Sequence, residues 1–125
     1  MSDDLRLWAV RGATQVGRND AAQIVAGTEE LMRELLERNE LVPDRIVSCI
    51  FTCTHDLNAE FPAVAARNLG LNQVPLLCGQ EIDVPNAMPG VVRVLVHYYA
   101  PPGHTPTHTY LGEAEKLRSD LSGAQ

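Results

Sequence analysis

The spacing of apolar positions changes period several times along the chain, and each change predicts an element. Leu5 to Arg11 is rich in bulky residues and runs into Gly12-Ala13-Thr14, a pattern of a strand ending in a turn that would put Arg11 at the strand's end. From Asn19 or Asp20 to about Asn39 the period becomes helical. Ile24, Thr28, Leu31 and Leu35 fall on one stripe, Glu29, Glu30, Arg33, Glu37 and Arg38 fall largely off it, and Asn19 and Asp20 both suit an N-cap. Val47 to Cys53 is β-branched, aromatic and small, as a buried strand requires, with Cys49, Phe51 and Cys53 on one face. Pro62 to Leu69 fits a short helix, with proline in its first turn and Gly70 just past its end. Strands are further predicted over Gln73 to Cys78 and, after a loop at Pro85 to Gly90, over Val91 to Tyr99. Thr107 to Leu111 is placed to pair back as a last strand, and Arg118 to Gln125 is small and polar, the composition of a mobile tail.

The strand at Val91 to Tyr99 carries the most information. Val92, Val94, Val96 and Tyr98 form one face, and Val91, Arg93, Leu95, His97 and Tyr99 the other, so Arg93 stands mid-strand. A charge there needs a partner, because leaving it uncompensated in a sheet interior costs on the order of several kcal/mol. The succession strand, long helix, strand, short helix, strands predicts an α+β (mixed α/β) domain, a sheet of about five strands with two helices on one side. Two helices are too few to cover both faces, so part of the sheet is expected to be buried by another subunit.

With 125 residues the chain is expected to form a single domain, 1–125, and its 45% hydrophobic and 21% charged residues exclude wholesale disorder. Sixteen acidic against ten basic residues give a formal charge of -6, the wrong sign for a nucleic-acid binder. No apolar run approaches the roughly 20 residues needed to span a bilayer, and the start, Met1-Ser2-Asp3-Asp4, lacks a basic n-region and an apolar h-region, so the expected location is the cytoplasm. Three cysteines, Cys49, Cys53 and Cys78, are an odd number and are expected to be reduced thiols. Of the ten basic residues only Lys116 is lysine. Arginine is the better residue for gripping a planar carboxylate, although base composition of a genome produces the same bias.

Neither G-x-G-x-x-G nor G-x-x-x-x-G-K-[ST] occurs, so no nucleotide cofactor is indicated. No second Cys/His pair stands at zinc spacing beside Cys49 and Cys53, and His104 and His108 straddle Pro106 in a loop, the usual setting of solvated surface; no metal is expected. What remains is a set of arginines at special positions, Arg11, Arg67, Arg93 and Arg118, together with Glu81 and Tyr110. For each of these except Arg93 an ordinary surface role is an adequate account.

At Val10-Arg11-Gly12-Ala13-Thr14, Asp56 to Ala63, Val74 to Glu81, Val92-Arg93-Val94 and Thr109-Tyr110-Leu111 the chain resembles the monofunctional, AroH-type chorismate mutases, with matching order and spacing from about Leu7 to Leu121. The resemblance implies a homotrimer of pseudo-α/β-barrel form with an active site at each subunit interface, and the Claisen rearrangement of chorismate to prephenate in aromatic amino acid biosynthesis (the shikimate pathway). That reaction needs no nucleophile, metal or coenzyme. It implies that Arg93 reaches the ether oxygen and a carboxylate, that Arg11 and Tyr110 hold the enolpyruvyl end, and that Glu81 and Cys78 meet the ring hydroxyl. Phe61 and Ala63 resemble apolar wall residues, and Arg67 and Arg118 the outer cations near the ring carboxylate. One subunit is expected to supply Phe61 to Arg67 and its neighbour Arg11, Glu81 and Arg93. The sequence departs from its relatives at Val64, where some carry lysine, and at Ser119, where a proline often follows the tail arginine, so less positive charge and a looser tail are expected there. The net charge opposes a dianionic substrate at long range, so the local arginine cluster must overcome the mean field, and affinity is expected to fall as salt rises. The competing reading is a trimeric relative with other chemistry, a Rid-type imine deaminase or a small-metabolite-binding regulator.

Overall fold

The structure, a computed structural model, describes residues 4–117; the tail from Arg118 onward, and with it the expectation for Arg118, lies outside the described residues. Strand β1 (Arg6–Gln15) leads into helix α1 (Ala21–Arg38), then β2 (Ile46–Cys53), the short helix α2 (Ala63–Asn68), β3 (Leu76–Gln80), the long β4 (Val91–Ala100) and the two-residue β5 (Thr109–Tyr110). The sheet order is β3-β2-β4-β1-β5. β4 runs antiparallel to both β1 and β2, while β3 lies parallel to β2 and β5 parallel to β1, so the sheet is mixed.

Both helices lie on one side of the sheet. Leu31, Met32 and Leu35 of α1 and Ala63 and Ala66 of α2 share a core with Val10, Phe51, Val94, Val96 and Tyr98. The long helix starts at Asp20, whose carboxylate accepts from the Gln23 amide. Its buried Thr28 is tolerated because the hydroxyl donates to the Ile24 carbonyl at 2.7 Å. Asn19, the other expected cap, does a different job. Its side-chain oxygen accepts from the amides of Asn58 and Ala59, fixing the loop between β2 and α2.

β1 does not end at Arg11. It continues through Gly12, Ala13 and Thr14 to Gln15, so Arg11 sits mid-strand and the expected turn is absent. The glycine serves helix packing. A Cβ on Gly12 would lie 2.9 Å from the Thr109 carbonyl oxygen and 3.0 Å from a methyl of each of Leu31 and Leu35. α1 and β5 therefore press onto β1 where no side chain intervenes. Two further boundaries move: β3 begins later than the composition suggests and runs to Gln80, and the last strand shrinks to Thr109–Tyr110.

β5 is short, yet it is tied down from outside the sheet. Buried Asn39, just past the end of α1, donates to the carbonyls of Leu35 and Thr107 and accepts from the Thr107 amide at 2.7 Å. Among the described residues no helix is long and apolar enough to cross a membrane.

The opposite sheet face is open. Leu7, Leu77 and Tyr99 are between two fifths and two thirds exposed there, with no element of the described chain to cover them. Gly12→Ala is expected to destabilise the fold by about 1–3 kcal/mol, since the closest neighbour of the new methyl is a backbone oxygen that cannot move aside. Denaturant unfolding measures this, and a loss below about 0.5 kcal/mol would show that α1 does not rest on the strand as described.

Candidate active site

Strand register assembles the open-face site. Thr52 pairs with Arg93, Arg93 with Ala13, and Ala13 with Tyr110, so these four residues form one transverse row over β2, β4, β1 and β5. Arg11, level with Leu95 on the same face, lies diagonally beside Arg93. Gly79 extends the row on β3, where a Cβ would meet nothing within 4 Å. Ala13 and Thr52 thus flank the long guanidinium side chain, with Gly79 beyond Thr52.

Glu81 follows β3 directly, held by its amide to the Cys53 carbonyl at 2.8 Å. Its Oε2 lies 3.1 Å from Arg93 Nε and accepts a hydrogen bond from the Thr52 hydroxyl. The approach to Nε is off the N–H axis, so the buried Nε has an ion-pair partner without a hydrogen bond. Arg93 is about one-third exposed (36%) beside this contact. It lines a depression of about 220 Å³ shared with Arg11, Gly12, Ile50, Thr52, Leu95 and Tyr110. Tyr110 is buried against Ala13, Val91 and Ala114. The Arg11 amide donates to His108 Nδ1 at 3.1 Å, which steadies the strand beside its side chain.

The remaining candidates stand elsewhere. Cys78 is level with Phe51, which points into the core, so Cys78 is on the helix side of the sheet, opposite Arg93. With Cys53 and the strongly exposed Phe61 it lines a second depression of about 370 Å³, built on the loop that Asn19 fixes. Ala63 is packed in the core beneath that loop and not on its surface; the small and apolar lining residues there are Leu57, Ala59 and Pro62. Arg67 projects from α2 into solvent. A single chain therefore brings Arg11, Glu81, Arg93 and Tyr110 together and keeps Phe61 and Cys78 apart from them.

Sequence reasoning missed Thr52. Its place in the alternation of β2, one residue from the inward-facing Phe51, was a usable signal, but the pairing with Glu81 arises only when β2 and β3 come side by side. Burial pushes the Cys49 thiol up to about 12. Burial first, and then the charges of Cys78, Glu81 and Asp56, push Cys53 up to about 11. Both stay protonated at neutral pH and are poor nucleophiles.

The depression offers two guanidinium groups, one of them paired with the Glu81 carboxylate, and a phenol, and no activated nucleophile or metal-binding cluster occurs among the described residues. Such equipment suits an enzyme that binds an anionic substrate and stabilises shifting charge within it. Residues 7–121 match the family model described as chorismate mutase type I. The chorismate mutase AroH of Thermus thermophilus is 41% identical over 118 residues, covering 93% of this chain and 97% of that protein, and the AroH of Bacillus subtilis is 36% identical over 115 residues, covering 90% and 91%. The solved structure of a chorismate mutase from Clostridium thermocellum superposes with a TM-score of 0.83 at 45% identity, over 88% of this chain and 99% of that one. The chain belongs to the type I chorismate mutase family. Its activity is accordingly that of an isomerase, and the imine deaminase and regulator readings find no support.

Below the site, Asp56 accepts from the Gly90 amide at 2.9 Å, and Gly90 has the positive φ of 66° that glycine tolerates. Hydrogen bonding, chiefly from the Thr54 side chain, holds the Asp56 carboxyl below its ordinary value. A depressed carboxylate stabilises the fold above its unfolded pKa of about 3.9, and the contribution is lost as pH falls through the lower folded value. Wild-type protein should therefore lose thermal stability on acidification below about pH 4, and Asp56→Asn should flatten that segment of the profile; identical profiles would remove Asp56 from the account.

Proposed function

We propose that Arg93 is the principal transition-state stabiliser of the chorismate-to-prephenate rearrangement. In this reaction the ether C–O bond breaks as a C–C bond forms between the enolpyruvyl methylene and the ring, within one molecule, with no proton or electron exchanged with the protein. Negative charge builds on the ether oxygen as the bond opens. A guanidinium already fixed beside that atom stabilises the charge without reorganising, which lowers the barrier in the chemical step itself. The observation that carries this reading is that Arg93, contacted by Glu81 at Nε, lines a depression shared with Arg11 and Tyr110.

Arg11 and the Tyr110 hydroxyl are suited to the enolpyruvyl carboxylate, and holding that end restricts the flexible dianion to its compact, reactive conformer. Glu81 has a second oxygen for the ring hydroxyl. Phe61 supplies a wall, Cys78 a group for the ring hydroxyl, and Arg67 and Arg118 outer positive charge for the ring carboxylate.

We further infer that the working form is a homotrimer, in the pseudo-α/β-barrel arrangement, in which the open face of one chain meets the Phe61 edge of the next. A 220 Å³ depression is smaller than the roughly 300–1,000 Å³ usual for small-molecule sites, so a second wall is needed. The apolar open face and the exposed Phe61, Leu77 and Ile82 give such a contact its material. The active site is then complete only between subunits.

Arg93→Gln should lower kcat by about a hundredfold to a thousandfold, roughly 3–4 kcal/mol, as for loss of a preorganised oxyanion donor. A loss confined to KM would refute the assignment. Sedimentation should show a three-chain species whose dilution into single chains abolishes chorismate turnover; a fully active monomer would dismiss the shared site.

A further inference from the structure

Glu81 and Arg93 are both placed by the reading above, but neither explains why the ion pair adopts its geometry. A carboxylate beside a free guanidinium ordinarily prefers a two-point arrangement, which satisfies two N–H groups at once. Here Glu81 sits side-on, one oxygen against Nε, where the angle is too poor for a hydrogen bond. Something else holds the carboxylate there. Thr52 is level with Arg93 in the β2–β4 register, and its hydroxyl donates to the same Oε2 that faces Nε. Its β-branched side chain has little rotational freedom on a central strand, whereas Glu81 stands just beyond the end of β3 on a long, flexible side chain.

We propose that Thr52 is a positioning residue for catalysis: its hydroxyl pins Glu81 in the side-on pose and so keeps the charge of Arg93 available to the substrate. Without that hydrogen bond the carboxylate is released to move along the guanidinium and neutralise more of its charge, so that less of that charge meets the negative charge building on the ether oxygen. Thr52 acts through Glu81, since its proton is committed to the carboxylate. The inference rests on the role given to Arg93 above and adds a residue to it.

The test compares Thr52→Val, which keeps the shape and removes the hydroxyl, with Thr52→Ser, which keeps the hydroxyl, and with Thr52→Ala as a second hydroxyl-free variant should valine disturb the strand. Chorismate turnover and thermal unfolding are measured on each purified protein. The hydroxyl-free variants should lose about tenfold in kcat, the equivalent of one hydrogen bond, with KM changed less than about threefold and unfolding midpoints near wild type. Thr52→Ser should recover kcat to within about twofold. A valine or alanine variant with wild-type kcat overturns the proposal, as does a serine variant as slow as valine. Arg93→Gln run in parallel separates the two levels. If it is slow while Thr52→Val is not, only the pinning role falls; if it is as fast as wild type, the role of Arg93 falls with it.

Discussion

A guanidinium on the middle strand of a sheet is the constraint around which the rest of this molecule is arranged. Arg93 cannot be left without a counter-charge on a partly buried sheet face, and Glu81 supplies one at 3.1 Å. A pair closed on itself would be a structural feature only. The off-axis contact at Nε neutralises the charge while the side chain stays about one-third exposed, so the pair is not sealed off from another anion. Compensation and availability are both achieved because the carboxylate has a second anchor in Thr52.

The fold serves that arrangement by dividing its labour between the two faces of one sheet. One face carries the helices and nearly all of the packed core. The other carries the polar row of Thr52, Arg93 and Tyr110 amid exposed apolar side chains. Rigid strands, and not loops, hold Arg11, Arg93 and Tyr110, which suits chemistry in which fixed geometry does most of the work. Gly12 and Asn39 act at a distance on the same outcome: one lets α1 lie directly on the strand of Arg11, the other ties the strand of Tyr110 to the end of that helix.

Much of this was legible in the sequence, because alternation and helical periodicity report which side of an element is buried. The faces of β4 follow from Val92, Val94, Val96 and Tyr98 alone, as does the odd position of Arg93. Gly12-Ala13-Thr14 misled because glycine serves both turns and close packing, and only the contact with Leu31 and Leu35 decides between them. The separation of Cys78 from Glu81 was equally hidden. Three residues apart in sequence, they fall on opposite sides of the sheet, since an odd offset along a strand reverses direction. Thr52 gained its meaning from a neighbour 29 positions away, which no local pattern encodes.

Asn39 has a further consequence. The last turn of a helix is the part that loosens most readily, and here one amide side chain is hydrogen-bonded both to that turn and to the segment leading into Tyr110. Fraying at the end of α1 is thereby coupled to the rim of the Arg93 depression, and loosening of the one is expected to slacken the other before the core melts.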